Sequence, residues 1–171
     1  CEVSISPNAC VIKDGKPHFL DVKKILRHNT DKTVYLLKRE LEINLGELRE
    51  ELHFASLEQI FIEEKIYRKI ETAKTWEAVI NAIKKGLEPF KKDFVREITE
   101  EDIVKLTEIR IKRISKYNSM QADENIARIK GAIDEVQNHL DNLIDFSINY
   151  FKQIKKKYAK GRERKTEIRN F

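Results

Sequence analysis

The densest chemistry in this chain is cationic. From Lys152 to Arg169 there are nine Lys and Arg residues against two acids, Glu163 and Glu167. That stretch is +7 in a chain whose net charge is +5, so the remainder is −2 and close to balanced. Lys155, Lys156, Lys157, Lys160, Arg162, Arg164 and Lys165 form the candidate polyanion surface. Phosphates held there would release counterions and give sequence-independent affinity. Clusters of this kind also act as nuclear import signals or as plain solubilising surface. The other reactive side chains are dispersed. His18, His28, His53 and His139 have no His or Cys partner at metal-ligand spacing. Cys1 and Cys10 make neither a disulfide framework nor a metal site, and no Gly-rich phosphate cradle occurs. The chain is expected to hold no catalytic residue, metal or cofactor of its own.

The elements that must position these cations are long helices. Of 171 residues, 37% are charged and 40% apolar, with only 5 Gly and 3 Pro, a composition of long helices rather than sheets. Val34, Leu37, Leu41, Leu45, Leu48, Leu52 and Ala55 recur at steps of three and four. So do Ile126, Ile129, Ile133, Val136, Leu140 and Leu143, before the seam drifts to Ile144, Ile148 and Phe151. Each stripe needs a partner helix, and each helix would run about 40 residues, roughly 60 Å. An antiparallel hairpin within the chain satisfies both stripes; an intermolecular coiled coil is the alternative. The expected fold is mainly α. It has a short β segment over 1–20 with a turn at Asp14-Gly15, a first coiled-coil helix over 21–71 capped by Asp21, a globular tip over 72–118, a second coiled-coil helix over 119–160 and a basic tail over 161–171. Facing positions of such a pair sum to about 190. That register brings His53 and His139 together, as a packing coincidence rather than a metal site. Gly46 and Gly131 fall inside the long helices, where either close helix crossing or local bending would explain them.

Within the tip, Trp76, Val79, Ile80, Ile83 and Leu87 have helical spacing, and Gly86-Leu87-Glu88-Pro89 ends that helix. Thr99 and Asp102 resemble a capping box opening a helix predicted from Glu100 to Ser115. Its apolar residues, Ile103, Val104, Leu106, Ile109, Ile111 and Ile114, spread over more than half the wheel. Packing on one face needs only a stripe of about 100°. The excess predicts a second apolar contact, either inside the tip or with another molecule. A tip this small has little core of its own. Ile103, Leu106, Arg110, Ile111 and Ile114 are the candidate dimer interface.

Several strings together resemble the A subunit of type IIA DNA topoisomerases. Leu106-Thr107-Glu108-Ile109-Arg110-Ile111-Lys112-Arg113-Ile114-Ser115, with the segment before it, is similar to that family's LTxxxAxxILxLRLxxLTGLE series. Arg164-Lys165-Thr166-Glu167-Ile168 is similar to its K-R-x-T-E-I string. Asn8-Ala9-Cys10-Val11-Ile12, Asp14-Gly15-Lys16-Pro17 and Leu20-Asp21-Val22-Lys23 resemble the N-x-V-A-L, D-G-R-P and L-N-L-K series where the family's tower domain meets its first coiled-coil helix. Two places depart from the gyrase form. Ser115-Lys116-Tyr117-Asn118 stands for T-G-L-E, and Thr30-Asp31-Lys32-Thr33-Val34-Tyr35 replaces an Arg-rich series. The wording is more similar to the topoisomerase IV branch, in the form found in the Bacteroidetes group.

The resemblance implies a role as well as a fold. In this family two copies of the A protein form a ring whose coiled-coil tips meet as an exit gate, and a transported DNA duplex leaves between them. It implies a homodimer through the tip, a B subunit completing an A2B2 enzyme, double-stranded DNA as partner, and Mg and ATP in the partner subunit. The family's nucleophile is a tyrosine preceded by Arg and followed by Thr. Tyr35, Tyr67, Tyr117, Tyr150 and Tyr158 all lack that context, so the segment is expected to be inactive alone. The chain begins at Cys1 and its sole Met is Met120, as expected of a piece of a longer polypeptide. With no apolar run near 18 residues and no signal pattern, a cytoplasmic, chromosome-associated bacterial protein with no membrane partner is expected. Periodicity alone fits equally a gyrase exit gate, or a non-catalytic coiled-coil arm of a chromosome-organising ATPase or tRNA synthetase.

Overall fold

The computed structural model describes residues 9–70, 73–163, 165 and 167. Strands β1 (Cys10–Lys13) and β2 (Lys16–Phe19) pair antiparallel, with Val11 opposite His18. Asp14 and Gly15 both have positive φ (52° and 74°). That conformation matches the right-handed twist of the strands that a two-residue turn joins. Asp21 then caps α1 (Val22–Glu63), accepting the Lys24 N–H at 2.7 Å. α1 is a single helix of 42 residues. It stops where Lys65 adopts φ 52°, earlier than the predicted boundary near residue 70, and α2 (Ile66–Ile70) follows.

α3 (Trp76–Leu87) starts at Thr75, whose side chain accepts the Ala78 N–H. It ends in a 3₁₀ turn, Glu88–Asp93, with Pro89 in its first positions. α4 (Glu100–Thr107) opens with the expected reciprocal box: Asp102 N–H donates to Thr99 Oγ1, and Thr99 N–H donates to Asp102 Oδ2. The predicted single helix to Ser115 is broken. Arg110 is extended (φ −67°, ψ 140°), and α5 covers only Ile111–Ser115. The second long helix is also two, α6 (Ser119–Asp141) and α7 (Leu143–Tyr158), parted at Asn142 (φ −112°, ψ 42°). That break falls where the apolar seam changes step.

The chain divides into two compact units, one of Cys1–Glu42 with His139–Phe171 and the other of Ile43–Asn138. In the first, Leu37 and Leu41 are buried on α1 and Ser147 on α7. In the second, Leu57, Phe61 and Ile62 of α1 join Ile66, Ile83, Leu87, Ile103 and Leu106 in one buried cluster. The tip solves its shortage of core by recruiting the end of α1. Each such side chain contributes roughly 1.5–3 kcal/mol by leaving water. Gly86 is required there, because a Cβ on it would lie 2.9 Å from Ile66 Cγ2.

Also in the second unit, α1 and α6 run antiparallel. Gln59 Nε2 donates to Asp123 Oδ1 at 2.8 Å and Arg128 to Glu51 at 3.1 Å. These pairs sum to 182 and 179 rather than 190, because α1 ends sooner than expected and draws the register toward the N-terminus. Nothing lies within 4 Å of a Cβ placed on Gly46 or Gly131. Close helix crossing therefore does not account for either glycine.

Candidate functional site

The tip is locked to α1 by one arginine. Arg96 donates to Asp102 at 2.6 and 3.0 Å and to both carboxylate oxygens of Glu50 at 2.9 and 2.7 Å. Asp102 also accepts the Thr99 hydroxyl at 2.9 Å and is only 2% exposed. Burial by itself pushes its carboxyl up, but the hydrogen bonds from Arg96 and Thr99 overcome that and hold it well below the usual carboxylate range. Glu50, bonded by Arg96, is lowered too. Bonds from Glu50 first and Asp102 second hold the Arg96 guanidinium charged.

His53 completes this network. It is 0% exposed, with Nε2 3.4 Å from Asp102 Oδ2 and its ring edge-on to Phe94. Its Nδ1 has no hydrogen-bond partner. His53 is thus paired with Asp102 inside its own unit, and in the other unit His139 stacks on Phe146 at 4.7 Å. Among the described residues, no group of three or more His, Cys, Asp or Glu could hold a metal ion. Sequence reasoning found the Thr99–Asp102 box because it is local. It missed Glu50, His53 and Arg96, whose contacts with Asp102 or with one another span up to 49 residues and carry no spacing signal.

The five candidate interface residues divide sharply. Ile103 and Leu106 are 0% and 1% exposed and belong to the tip's own core, so neither can offer surface to a partner. Ile114 packs against that core from its edge. Arg110 is exposed and Ile111 is 81% exposed. The physical reason is the break at Arg110. At 3.6 residues per turn, Ile109 of a straight helix would point about 120° away from Ile103. The kink lets Ile109 and Ile114 both reach the core and turns Ile111 outward. The apolar excess is thus satisfied mostly inside the tip, with Val104 (37% exposed) and Ile111 left over.

Beside α5 lies a groove of about 810 Å³ between α1, α4, α5 and α6. Tyr117 on its wall donates to Glu63 at 2.9 Å. Burial, reinforced by that carboxylate, pushes the phenol well above its ordinary value. Its hydroxyl is thus a donor held within the wall of the groove.

The basic residues lie on the other unit. Lys155, Lys156 and Lys157 occupy the last turn of α7, where cations favour the helix dipole. Lys157 Nζ is 5.2 Å from the Tyr158 ring centroid. Lys160, Arg162 and Lys165 follow and are exposed, while Arg164 lies outside the described residues. Among the described residues, no helix is long and apolar enough to cross a membrane.

The chain is 29% identical over 168 residues to the A subunit of DNA topoisomerase 4 from Borreliella burgdorferi. That alignment covers 98% of the chain and 27% of the relative, so the chain spans about a quarter of that protein's length. The family model for the A subunit of DNA gyrase/topoisomerase IV matches residues 1–152, nearly the whole chain. The chain therefore belongs to the DNA gyrase/topoisomerase IV family of A subunits.

Proposed function

We propose that this chain is the exit-gate segment of an ATP-dependent type II DNA topoisomerase, on the topoisomerase IV side of its family. One observation carries the gate reading: Ile111, 81% exposed on a short helix whose Ile114 packs on the buried core, beside exposed Arg110. An apolar side chain presented this way by a rigid support suits an isologous contact with a second copy about a two-fold axis. Two such tips would close one side of a ring. They would part to release a transported duplex during decatenation or relaxation. The reacting tyrosine would sit elsewhere in the full-length protein. The B protein would supply ATP hydrolysis and Mg within an A2B2 enzyme. The basic residues from Lys155 onward would meet phosphates in the other unit. The naming of the topoisomerase IV side rests on the similarity to a DNA topoisomerase 4 A subunit.

Analytical ultracentrifugation of the chain tests the gate. The wild type should sediment as a dimer, and Arg110→Glu/Ile111→Glu as a monomer of unchanged helicity. A wild type that remains monomeric at high concentration, or a variant that remains dimeric, excludes this seam.

A further inference from the structure

The groove beside α5 has an electrostatic character that a purely apolar seam does not need. Its rim carries Lys105, Arg110, Lys112, Arg113 and Lys116 against Glu58 and Glu108. Arg113 is already committed, since its guanidinium forms a two-point ion pair with the buried Glu58. The remaining four cations form no ion pair among the described residues, and all four are exposed. With Glu108 the only acid left, the groove has a local charge of +3. Elsewhere on the tip, Lys84, Lys91 and Arg96 are matched with Glu100, Glu88, Glu50 and Asp102, while Lys74, Lys85 and Lys92 lack an ion pair among the described residues but do not line this groove.

We infer that this groove is a second DNA-contacting surface, taking the phosphate backbone of a duplex at the tip itself, apart from the basic end of α7. Exposed Lys and Arg along an open rim suit a row of phosphates held by counterion release, rather than one anion in a convergent pocket. The half-buried Phe54, Ala55 and Tyr117 beneath them are not presented for base stacking. Recognition should therefore be independent of sequence. The inference rests on the gate reading only for the choice of duplex DNA as the polyanion: a duplex leaving between two tips would pass this rim.

The test uses the whole chain with a short labelled DNA duplex, titrated at several salt concentrations. Lys105→Gln/Lys112→Gln/Lys116→Gln is compared with Lys74→Gln/Lys85→Gln/Lys92→Gln. The latter removes the same charge from exposed tip lysines that do not line the groove. If three phosphates are engaged, the groove variant should lower the slope of log affinity against log salt by about 2–3, and the control should leave it nearly unchanged. Equal losses in both variants, or none in the groove variant, overturn the inference. So does a competing acidic peptide bound as tightly as DNA through the same lysines. Sedimentation of the same samples separates the two readings. A monomer that still binds DNA through the groove removes the gate but keeps the groove, and a dimer whose DNA binding ignores the groove does the reverse.

Discussion

Arg96 grips Asp102 with two hydrogen bonds, and the same guanidinium reaches 46 residues back along the chain to Glu50 on α1. One side chain thus joins the loop before α4, the cap of α4 and the long helix. Asp102 is the buried member, so the network stands or falls with its charge. Removing Arg96 leaves that carboxylate uncompensated. Arg96→Ala should cost about 3 kcal/mol, read as a lowered midpoint in urea unfolding followed by circular dichroism. A loss below about 0.5 kcal/mol, typical of exposed positions, would show that Thr99 alone satisfies Asp102.

The same pair makes stability depend on acid. Asp102 titrates lower in the folded chain than its unfolded value of about 3.9. Its contribution is therefore complete above that pH and is lost as pH falls toward the folded value. The melting temperature should decline below about pH 4, and Asp102→Asn should start lower and decline less steeply there. Parallel curves for the two proteins would mean that other carboxylates govern the acid limb.

Core and seam should separate within the same short stretch. Leu106→Ala should destabilise the tip by roughly 2–5 kcal/mol, because it opens a cavity in the buried cluster to which Leu106 belongs. Ile111→Glu should change the stability of the monomer itself by no more than about 0.5 kcal/mol. Thermal melts of the two variants side by side decide this. A large loss from Ile111→Glu, independent of protein concentration, would mean that the side chain packs within its own chain.

Three glycines should respond in two directions. Gly46→Ala and Gly131→Ala face open space and should each raise stability by about 1 kcal/mol. Gly86→Ala should lower the melting temperature, since its Cβ would press on the fully buried Ile66. If Gly46→Ala is stabilising yet slows DNA passage in the complete enzyme with cleavage intact, α1 bends at that point during gate opening. Normal passage removes the bending idea.

The basic end of α7 should bind DNA without reading it. Lys155, Lys156 and Lys157 crowd one turn of α7 as point charges, which suit phosphates rather than base edges. Lys155→Glu/Lys156→Glu/Lys157→Glu should weaken binding equally across unrelated duplexes and flatten its salt dependence. Tight, sequence-selective binding that persists in high salt would contradict this.

What could be read directly from the residues was local in origin. The Asp14-Gly15 turn, the Asp21 and Thr99 caps and the α3 stripe each depend on neighbours within four positions, so sequence spacing carries them fully. The heptad seams announced long helices needing partners for the same reason. The register did not follow, because it depends on where α1 stops, and a single left-handed residue at Lys65 sets that point with no Gly or Pro to mark it. The break at Arg110 has no local marker either. It follows from the need to bring Ile103, Leu106, Ile109 and Ile114 onto one core, a demand that exists only once α1, α2 and α3 have come together. Whether an isoleucine in this stretch is core or surface is decided by that packing, and so Ile103 is hidden while Ile111 is exposed. Residue types and their order thus determined the family, the helices and the caps, whereas tertiary packing chose which apolar residues of the tip stay exposed and which cations lack an ion pair.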